Sequence, residues 1–422
     1  MLQAVNVGRK SLQDYGTLVS RGLMDEIRRL AVPLAGKRVL HVSATAFGGG
    51  VAEINYTLVP LMVDAGLDVE WRIMQGAEEF YAVTKAIHNA LQGDPRPLTA
   101  DELDIYRRYN ELNAEQLDPD AYDYVIVHDP QPAAMIDSFD TRRAKWIWRG
   151  HIDFSTPNEE VFDELLPSLC RYDAAIFHLL EYVPPRRPET VAIWPPAIDP
   201  LQPKNMALSP EDASYIVDQF GVDVDRPLLV QVSRFDPWKD PLGVIDAYRL
   251  VKARVPEVQL ALVGSMAHDD PEGWDYYNRT VEHAAGDPDI FILSNMNNVG
   301  AVEVNAFQVH ARAVVQKSIR EGFGLTVTEA LWKTRPTVGG RVGGIVAQID
   351  DGRTGWLVDS VDECAQALLE ILGDPALARA RALAGKEDVR RRFLTPRLVR
   401  DWLVLLNLLV GNDTGGSAIT LA

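Results

Sequence analysis

The sequence predicts an α/β protein built from two doubly wound domains, and three observations carry that reading. Short apolar runs alternate with helical patterns in two successive series, as parallel sheets with crossover helices require. A proline-rich stretch, Trp194-Pro-Pro-Ala-Ile-Asp-Pro-Leu-Gln-Pro203, separates the series; it suits neither a helix nor a central strand and reads as a linker. Polar and glycine-rich residues gather just after several strands, the edge at which open α/β sheets bind ligands. The 422 residues exceed one ordinary core and suit two.

Taken in order, Leu18 to Leu34 has helical apolar spacing (Leu23, Ile27, Leu30, Leu34). Lys37–Ser43 is a buried strand that ends in Thr45-Ala-Phe-Gly-Gly-Gly50, with a helical run after it to Ala65. Val69–Met74 is the next strand, and Phe80–Leu91 and Thr99–Gln116 read as helices. Strands follow at Tyr124–His128, Lys145–Arg149, Ala174–Phe177 and Thr190–Ile193. The second series runs through Pro227–Ser233, Gln259–Gly264, Ile290–Leu293, Ala313–Val315 and Pro336–Val338. Arg353–Val358 reads as a short hairpin or strand, and helices from Val361 to Gly373 and onward from Pro375 close the chain. The expected boundaries are 1–195, a linker at 196–204, and 205–422, with a cleft between the domains. The final Gly411–Ser417 reads as a frayed tail.

Composition narrows the function. With 47% hydrophobic and 24% charged residues the chain is ordinary for a soluble globular protein. A net charge of −18 argues against nucleic acid or an anionic membrane as partner, yet allows a local basic pocket for a phosphate-bearing ligand. Cys170 and Cys364 have no metal-ligand spacing and read as free buried thiols of a reducing compartment. No signal peptide pattern opens the sequence. The longest apolar stretch, Trp402–Val410, is too short to span a bilayer. A cytoplasmic protein acting on small molecules is expected, with homodimer formation left open.

The chemistry centres on Ser318-Ile-Arg-Glu-Gly-Phe-Gly-Leu-Thr-Val-Thr-Glu-Ala330. A strand enters it, Gly322 and Gly324 turn it, and a helix leaves it, which points backbone N–H groups at an anion. Glu321 at the turn and Glu329 a turn or so deeper suit a ligand with both hydroxyls and phosphates; a purely structural turn with two solvated glutamates is the alternative. Arg234 and Lys239, in Ser233-Arg-Phe-Asp-Pro-Trp-Lys-Asp240, put two cations at the end of another strand, where they can stabilise charge on a departing phosphate. Gly48, Gly49 and Gly50 repeat the strand, glycine turn and helix device. Arg149-Gly-His-Ile-Asp153 places His151 and Asp153 at a strand end, either as contacts to sugar hydroxyls or as a structural His–Asp pair. In His128-Asp-Pro-Gln131, Asp129 and Gln131 read as ligand contacts, as does Arg149, and Asn297 follows a strand; with the resemblance given below, the first three would meet the acceptor and Asn297 would lie near the base. Asp223-Val-Asp225 is formally a metal-diphosphate motif but reads as a turn, so no metal site is expected. Ser-His-Asp order, P-loop, zinc spacing and G-x-G-x-x-G are all absent.

The string E-G-F-G-L-T-V-T-E resembles the E-x7-E signature of retaining GT-B glycosyltransferases, and S-R-x4-K-D at its distance upstream resembles that family's diphosphate-binding Arg and Lys. The resemblance implies two Rossmann-like domains with the active site in the interdomain cleft. It implies that Glu321 meets donor-sugar hydroxyls, that the backbone of Gly322, Phe323 and Gly324 binds the same sugar, that Leu325 and Thr326 meet the diphosphate, and that Glu329 holds the ribose. It gives Gly49 and Gly50 to the donor phosphate and transferred sugar. In the first domain, H-V-S-A-T-A-F-G-G-G-V-A-E-I, F-Y-A-V-T-K-A-I-H-N-A-L-Q-G, H-D-P-Q-P and W-R-G-H-I-D resemble the trehalose-forming branch, with its glycosyltransferring synthases and its phosphorylases. What this implies is a retaining glucosyltransferase joining a nucleoside-diphosphate glucose (ADP-, UDP- or GDP-glucose) to free glucose. No cofactor and no divalent metal are expected, because Arg234, Lys239 and the helix starts take the metal's place. A phosphorylase and a non-catalytic nucleotide-sugar sensor are the alternatives.

Overall fold

The computed structural model describes residues 2–47, 49–188, 190–266, 271–411 and 419–420. It divides into two compact units, Met1–Ala197 with Thr395–Ala422, and Ile198–Leu394.

The first unit runs β1 (Gln3–Ala4), α1 (Arg21–Ala31), β2 (Arg38–Ser43), α2 (Gly50–Asp64), β3 (Asp68–Ile73), α3 (Glu78–Ala90), α4 (Ala100–Ala114), β4 (Tyr124–His128), β5 (Lys145–Arg149), α5 (Glu159–Leu169), β6 (Ala174–Phe177) and β7 (Val191–Ile193). Its strands lie in the order β1-β3-β2-β4-β5-β6-β7, parallel except for β1. The strands are apolar on both faces because helices cover both; every residue of Tyr124–His128 is buried. Local chemistry sets the helix starts. Ser20 Oγ accepts from Leu23 N at 3.2 Å, and Thr99 and Glu102 form a reciprocal capping box.

The second unit runs α6 (Pro210–Asp218), β8 (Leu228–Val232), α7 (Pro241–Lys252), β9 (Gln259–Val263), α8 (Pro271–Ala284), β10 (Ile290–Leu293), α9 (Ala301–His310), β11 (Ala313–Gln316), α10 (Leu325–Trp332), β12 (Thr337–Gly340), α11 (Gly343–Val346), β13 (Trp356–Val358), α12 (Val361–Gly373) and α13 (Pro375–Arg392). The sheet order is β10-β9-β8-β11-β12-β13, all parallel. The chain returns to the first unit as α14 (Thr395–Gly411), and β14 (Ile419–Thr420) pairs with β7.

This last helix departs from the expected boundary, which put all of 205–422 in the second domain. Trp402, Leu403, Leu405 and Leu406 are fully buried. Tyr124 Oη donates to Leu406 O at 2.8 Å, and Asn407 Nδ2 donates to Leu30 O at 2.9 Å. The apolar run that is too short for a bilayer is thus a buried face docked on the first unit. Arg397 anchors the start of the helix by donating to Pro195 O and Pro196 O, each at 2.9 Å. Cys364 is buried as expected, but Cys170 is exposed, since it caps the C-terminal end of α5; both are free thiols. The expected tail beyond Gly411 lies outside the described residues, and Gly48 does too. Among the described residues no helix is long and apolar enough to cross a membrane.

The strand orders explain where polar residues collect. In each sheet the chain moves outward in one direction, then restarts beside the first of its parallel strands and moves the other way. The reversal falls between β2 and β4 in the first unit and between β8 and β11 in the second. Loops leaving those strand pairs diverge to opposite faces and open a crevice at the strand ends.

Candidate functional site

In the second unit the two loops at the reversal carry the E-x7-E turn and the cation pair. After β8, Asp236 Oδ1 accepts from Trp238 N at 3.0 Å and Lys239 N at 3.1 Å, so a one-turn 3₁₀ helix fixes the backbone of Lys239. Asp240 follows at φ 49° and caps α7 through Gly243 N. The Lys239 ammonium lies 2.6 Å from Glu321 Oε2. Ser318 Oγ donates to the same oxygen at 3.1 Å. Arg234 points into solvent, 60% exposed, and meets only the Asp236 carboxylate, at 3.3 Å, among the ion pairs described. Lys317 pairs with Asp240, tying the base of one loop to the base of the other.

The turn itself is shaped by two glycines. Gly324 has φ 83°, a left-handed conformation at the residue before α10. Gly344 lets α11 approach so closely that a Cβ there would lie 2.3 Å from Phe323 Cα. Gln348 braces the turn by donating to the carbonyls of Phe323, Gly324 and Gly344. Phe323 is buried and packs edge-on against Phe393. Leu325 and Thr326 occupy the first turn of α10, where amides have no intrahelical acceptor and the helix dipole is positive. The Thr326 hydroxyl donates to Gln316 Oε1 at 3.2 Å.

Glu329 lies deeper than its sequence position suggests. It is fully buried, with Lys204 Nζ 2.7 Å from Oε1 and Gln308 Nε2 3.5 Å from Oε2. The carboxylate expected to hold a ribose is therefore engaged by a lysine from the stretch read as a linker. Asn297 is exposed and caps its own short 3₁₀ turn, its Oδ1 accepting from Ser294 N at 3.0 Å. Asp223 and Asp225 form a turn, as expected, with Asp225 N donating to Asp223 Oδ1 at 3.1 Å.

In the first unit, Gly49 (φ 84°) precedes α2 at the end of β2, and Gly50 is its first residue. After β4, Asp129 is held at φ 64°, and its Oδ1 accepts from His151 N at 2.7 Å. Burial raises its carboxyl to about 7. Asp153 is also buried, and its Oδ1 accepts from Ser155 N at 2.8 Å. Among the contacts described, His151 meets His128 and Asp129. His151 Nε2 lies 2.9 Å from His128 Nδ1, and His128 Nε2 lies 2.9 Å from His41 Nδ1. Gln131 is half-buried, and its carbonyl accepts from Asn110. Arg149, expected to contact the acceptor, is 1% exposed, with its guanidinium over the rings of Trp194 and Trp402 at 5.6 and 5.9 Å. Burial, and then the charge of Arg397, lower it to about 9.

Two family models match this chain in succession: the N-terminal domain of trehalose synthase over residues 41–184, and glycosyl transferases group 1 over residues 214–388. A trehalose synthase of Rubrobacter xylanophilus is 59% identical over 97% of this chain and 100% of its own length. The chain belongs to the trehalose synthase and phosphorylase branch of the GT-B glycosyltransferases. A trehalose phosphorylase of Pleurotus pulmonarius is 29% identical over 93% of this chain but only 60% of its own length. The crystal structure of an α,α-trehalose 6-phosphate synthase from Burkholderia multivorans shares the fold, with a TM-score of 0.70 and 17% identity over 90% of this chain and 100% of that one.

In this glycosyltransferase several side chains that shape the site carry no motif of their own. Lys204, Ser318 and Gln348 come from a linker, a strand end and a helix end; Lys204 and Ser318 each meet one motif carboxylate, and Gln348 meets the backbone of Phe323 and Gly324. The Gly343-Gly344 pair before Gln348 is the one local signal that another segment approaches the turn closely. His41 falls inside an apolar strand, where alternation alone reads it as a core residue.

Proposed function

We propose that this glycosyltransferase forms α,α-trehalose from a nucleoside-diphosphate glucose and free glucose, reversibly and with retention at the anomeric carbon. The observation that carries the reading is the Lys239–Glu321 pair at the reversal of the second sheet. A cation suited to phosphate and a carboxylate suited to hydroxyls neutralise one another there. A sugar diphosphate supplies a partner for each. Arg234 adds a forked donor for the diphosphate, and the first turn of α10, with Leu325 and Thr326, adds amides and a positive dipole. Glu321 then orients the sugar ring together with the backbone of Gly322, Phe323 and Gly324. Gly49 and Gly50 contact the donor from the first unit, where Asp129, Gln131 and Asp153 take the acceptor glucose and His151 a sugar hydroxyl.

Retention without an enzyme nucleophile follows a front-face course. The bond from the anomeric carbon to the diphosphate oxygen breaks and the bond to the incoming glucose oxygen forms on the same face. A leaving diphosphate oxygen takes the hydroxyl proton. Arg234 and Lys239 hold the charge that develops on the diphosphate, and fixed charges serve the transition state more than the ground state.

One observation favours a second reading, a phosphorylase in which inorganic phosphate replaces the nucleotide: Lys204 already occupies the carboxylate of Glu329 that would hold a ribose. Incubation with a nucleoside-diphosphate α-glucose and glucose, without phosphate, decides between them. Trehalose with both linkages α by NMR is expected. A β-linked product would overturn retention, a trapped glucosyl-enzyme would overturn the front-face course, and a strict need for phosphate would transfer the protein to the second reading.

A further inference from the structure

Three imidazoles form a hydrogen-bonded row along the strand ends of the first sheet. His41 lies on β2, His128 ends β4, and His151 follows β5. These are neighbouring strands. The nitrogen contacts are both 2.9 Å, and successive rings stack at 5.2 Å. His178, after β6, meets His151 edge-on at 5.4 Å and stands outside the row. The rings bond to one another rather than converge, and among the described residues no His, Cys, Asp or Glu cluster could hold a metal.

A neutral imidazole has one N–H and one lone pair, so a row of them must donate in a single direction. Neutrality is enforced by burial, which pushes His41 down to about 3 and holds His128 and His151 well below the ordinary histidine range. Direction is then set at the closed end. His41 is fully buried, and its Nε2 has no hydrogen-bond partner among the described residues. The ring packed edge-on against it, at 5.8 Å, is Trp402, whose indole nitrogen only donates. Beyond Trp402 are Trp194 and Arg149, donors only. None of Trp402 Nε1, Trp194 Nε1, Arg149 Nη1 or Arg149 Nη2 has an acceptor among the described residues. Of the two carboxylates that act on Arg149, Asp401 is engaged by Arg397 at 2.5 Å and Arg400 at 3.0 Å, and Asp129 accepts from His151 N at 2.7 Å. An N–H on His41 Nε2 would face more donors, whereas a lone pair there is complementary to them.

We propose that the donor-rich pocket around Trp402 and Arg149 polarises the row, so that His41 and His128 each donate through Nδ1 and the half-buried His151 is fixed with its proton on Nδ1 and its Nε2 as acceptor. His41 and His128 are positioning residues. His151 is then a hydrogen-bond donor toward a sugar oxygen and not a general base, because its basic nitrogen is already occupied by His128. Nor can the row relay a proton inward, since its far end opens on donors. The polarity stands on the row's geometry; its use in glycosyl transfer rests on the function proposed above.

The test is long-range ¹H–¹⁵N NMR of the ligand-free, ¹⁵N-histidine-labelled full chain, with signals assigned from single His→Asn variants. An unconstrained imidazole favours the proton on Nε2, so the expected Nδ1–H form of His128 and His151 is a specific signature. His151 with its proton on Nε2 overturns the proposal whatever the activity. His41→Asn keeps a donor where Nδ1 was, and His41→Leu removes it. His41→Asn should keep the Nδ1–H signature of His151 and turnover within about twofold; His41→Leu should mix the tautomers and lower kcat about tenfold, near the worth of one hydrogen bond, with KM little changed. An unaltered His151 tautomer in His41→Leu also overturns it. If the wild-type signature is found in a protein that transfers no glucose, the proposed function falls and the polarity stands.

Discussion

Lys239 and Glu321 stand 82 positions apart in sequence, and their charged atoms lie 2.6 Å apart. The lysine side chain is 16% exposed and the glutamate 9%, so neither charge is well served by water once its partner is gone. Lys239→Ala should therefore lose both stability and turnover. About 3 kcal/mol of unfolding free energy is expected from removing the Lys239 cation from the buried Glu321 carboxylate. A fall of ~10²–10³ in kcat is expected from losing a preorganised cation. The double variant Lys239→Ala with Glu321→Gln should recover most of the stability and none of the turnover. Urea melts beside initial rates check this; additive stability losses would show that the pair is not coupled.

Arg234 separates the two effects. It is largely exposed and meets only Asp236 among the ion pairs described, so its removal costs the fold little. Arg234→Ala should leave the melting temperature within about one degree and the unfolding free energy within ~0.5 kcal/mol, while turnover falls by orders of magnitude. A loss of stability as large as that of Lys239→Ala would mean the guanidinium serves the fold instead of the diphosphate.

Much of this site was legible because the relevant elements are strongly patterned. Tyr124–His128, Lys145–Arg149, Ala174–Phe177 and Ile290–Leu293 are short apolar runs whose ends the structure places where the sequence does. The Glu321 turn was legible because its glycines are needed: φ at Gly324 and the space at Gly344 leave little choice of residue. The return of α14 to the first unit was not legible. An apolar face shows that a helix is buried but not against what, and a pattern read in chain order assigns it to the nearest domain. The burial of Glu329 was hidden for a similar reason. Its partner Lys204 sits 125 residues upstream, in a stretch whose prolines announce only the absence of a helix.

Glu329 offers a contrast between binding and chemistry. Glu329→Gln removes the charge that Lys204 pairs with and keeps the shape. If ribose hydroxyls take the place of Lys204 when a nucleotide binds, affinity for nucleoside diphosphate should fall about tenfold with kcat nearly unchanged, because such a contact is equal in ground and transition states. Affinity for inorganic phosphate should not move. Isothermal titration with both ligands reads this directly, and equal nucleotide affinity in the variant and the parent would remove Glu329 from the binding site.

Charge neutralisation by protein groups predicts indifference to chelators. In the proposed site Arg234, Lys239 and the N-terminal turn of α10 would supply to a bound diphosphate the positive charge that a divalent ion would otherwise supply. Initial rates after exhaustive chelation should match those with added magnesium within about twofold. Complete loss restored by magnesium would defeat the expectation.

The imidazole row predicts how stability depends on pH, and the sign can be worked out group by group. In the unfolded chain a histidine titrates near 6.5; folded, His41 is held down to about 3, and His128 and His151 are held well below 6.5, in each case first by burial. Below pH 6.5 the unfolded chain therefore takes up protons that the folded chain refuses. The contribution of each imidazole is complete above 6.5 and is lost as pH falls through its folded value, about 3 for His41. Asp129 runs the other way. Its folded value of about 7 lies above the carboxylate value of 3.8, so between these values the folded chain holds the extra proton and stability falls as pH rises. Below about pH 6, while all three folded imidazoles stay neutral, they are opposed by one carboxyl. The cluster alone then tilts the fold toward instability by up to about 2.7 kcal/mol per pH unit of acidification, from two net protons. Other carboxylates add to the raw slope, so the informative quantity is a difference. His41→Asn removes one imidazole and should flatten the dependence by up to about 1.4 kcal/mol per pH unit over that range. Urea unfolding of both proteins at pH 7.5, 6 and 5 measures it. Parallel curves would mean that His41 is as easily protonated in the folded chain as in the unfolded one, and that the row is not the neutral, closed array its burial implies.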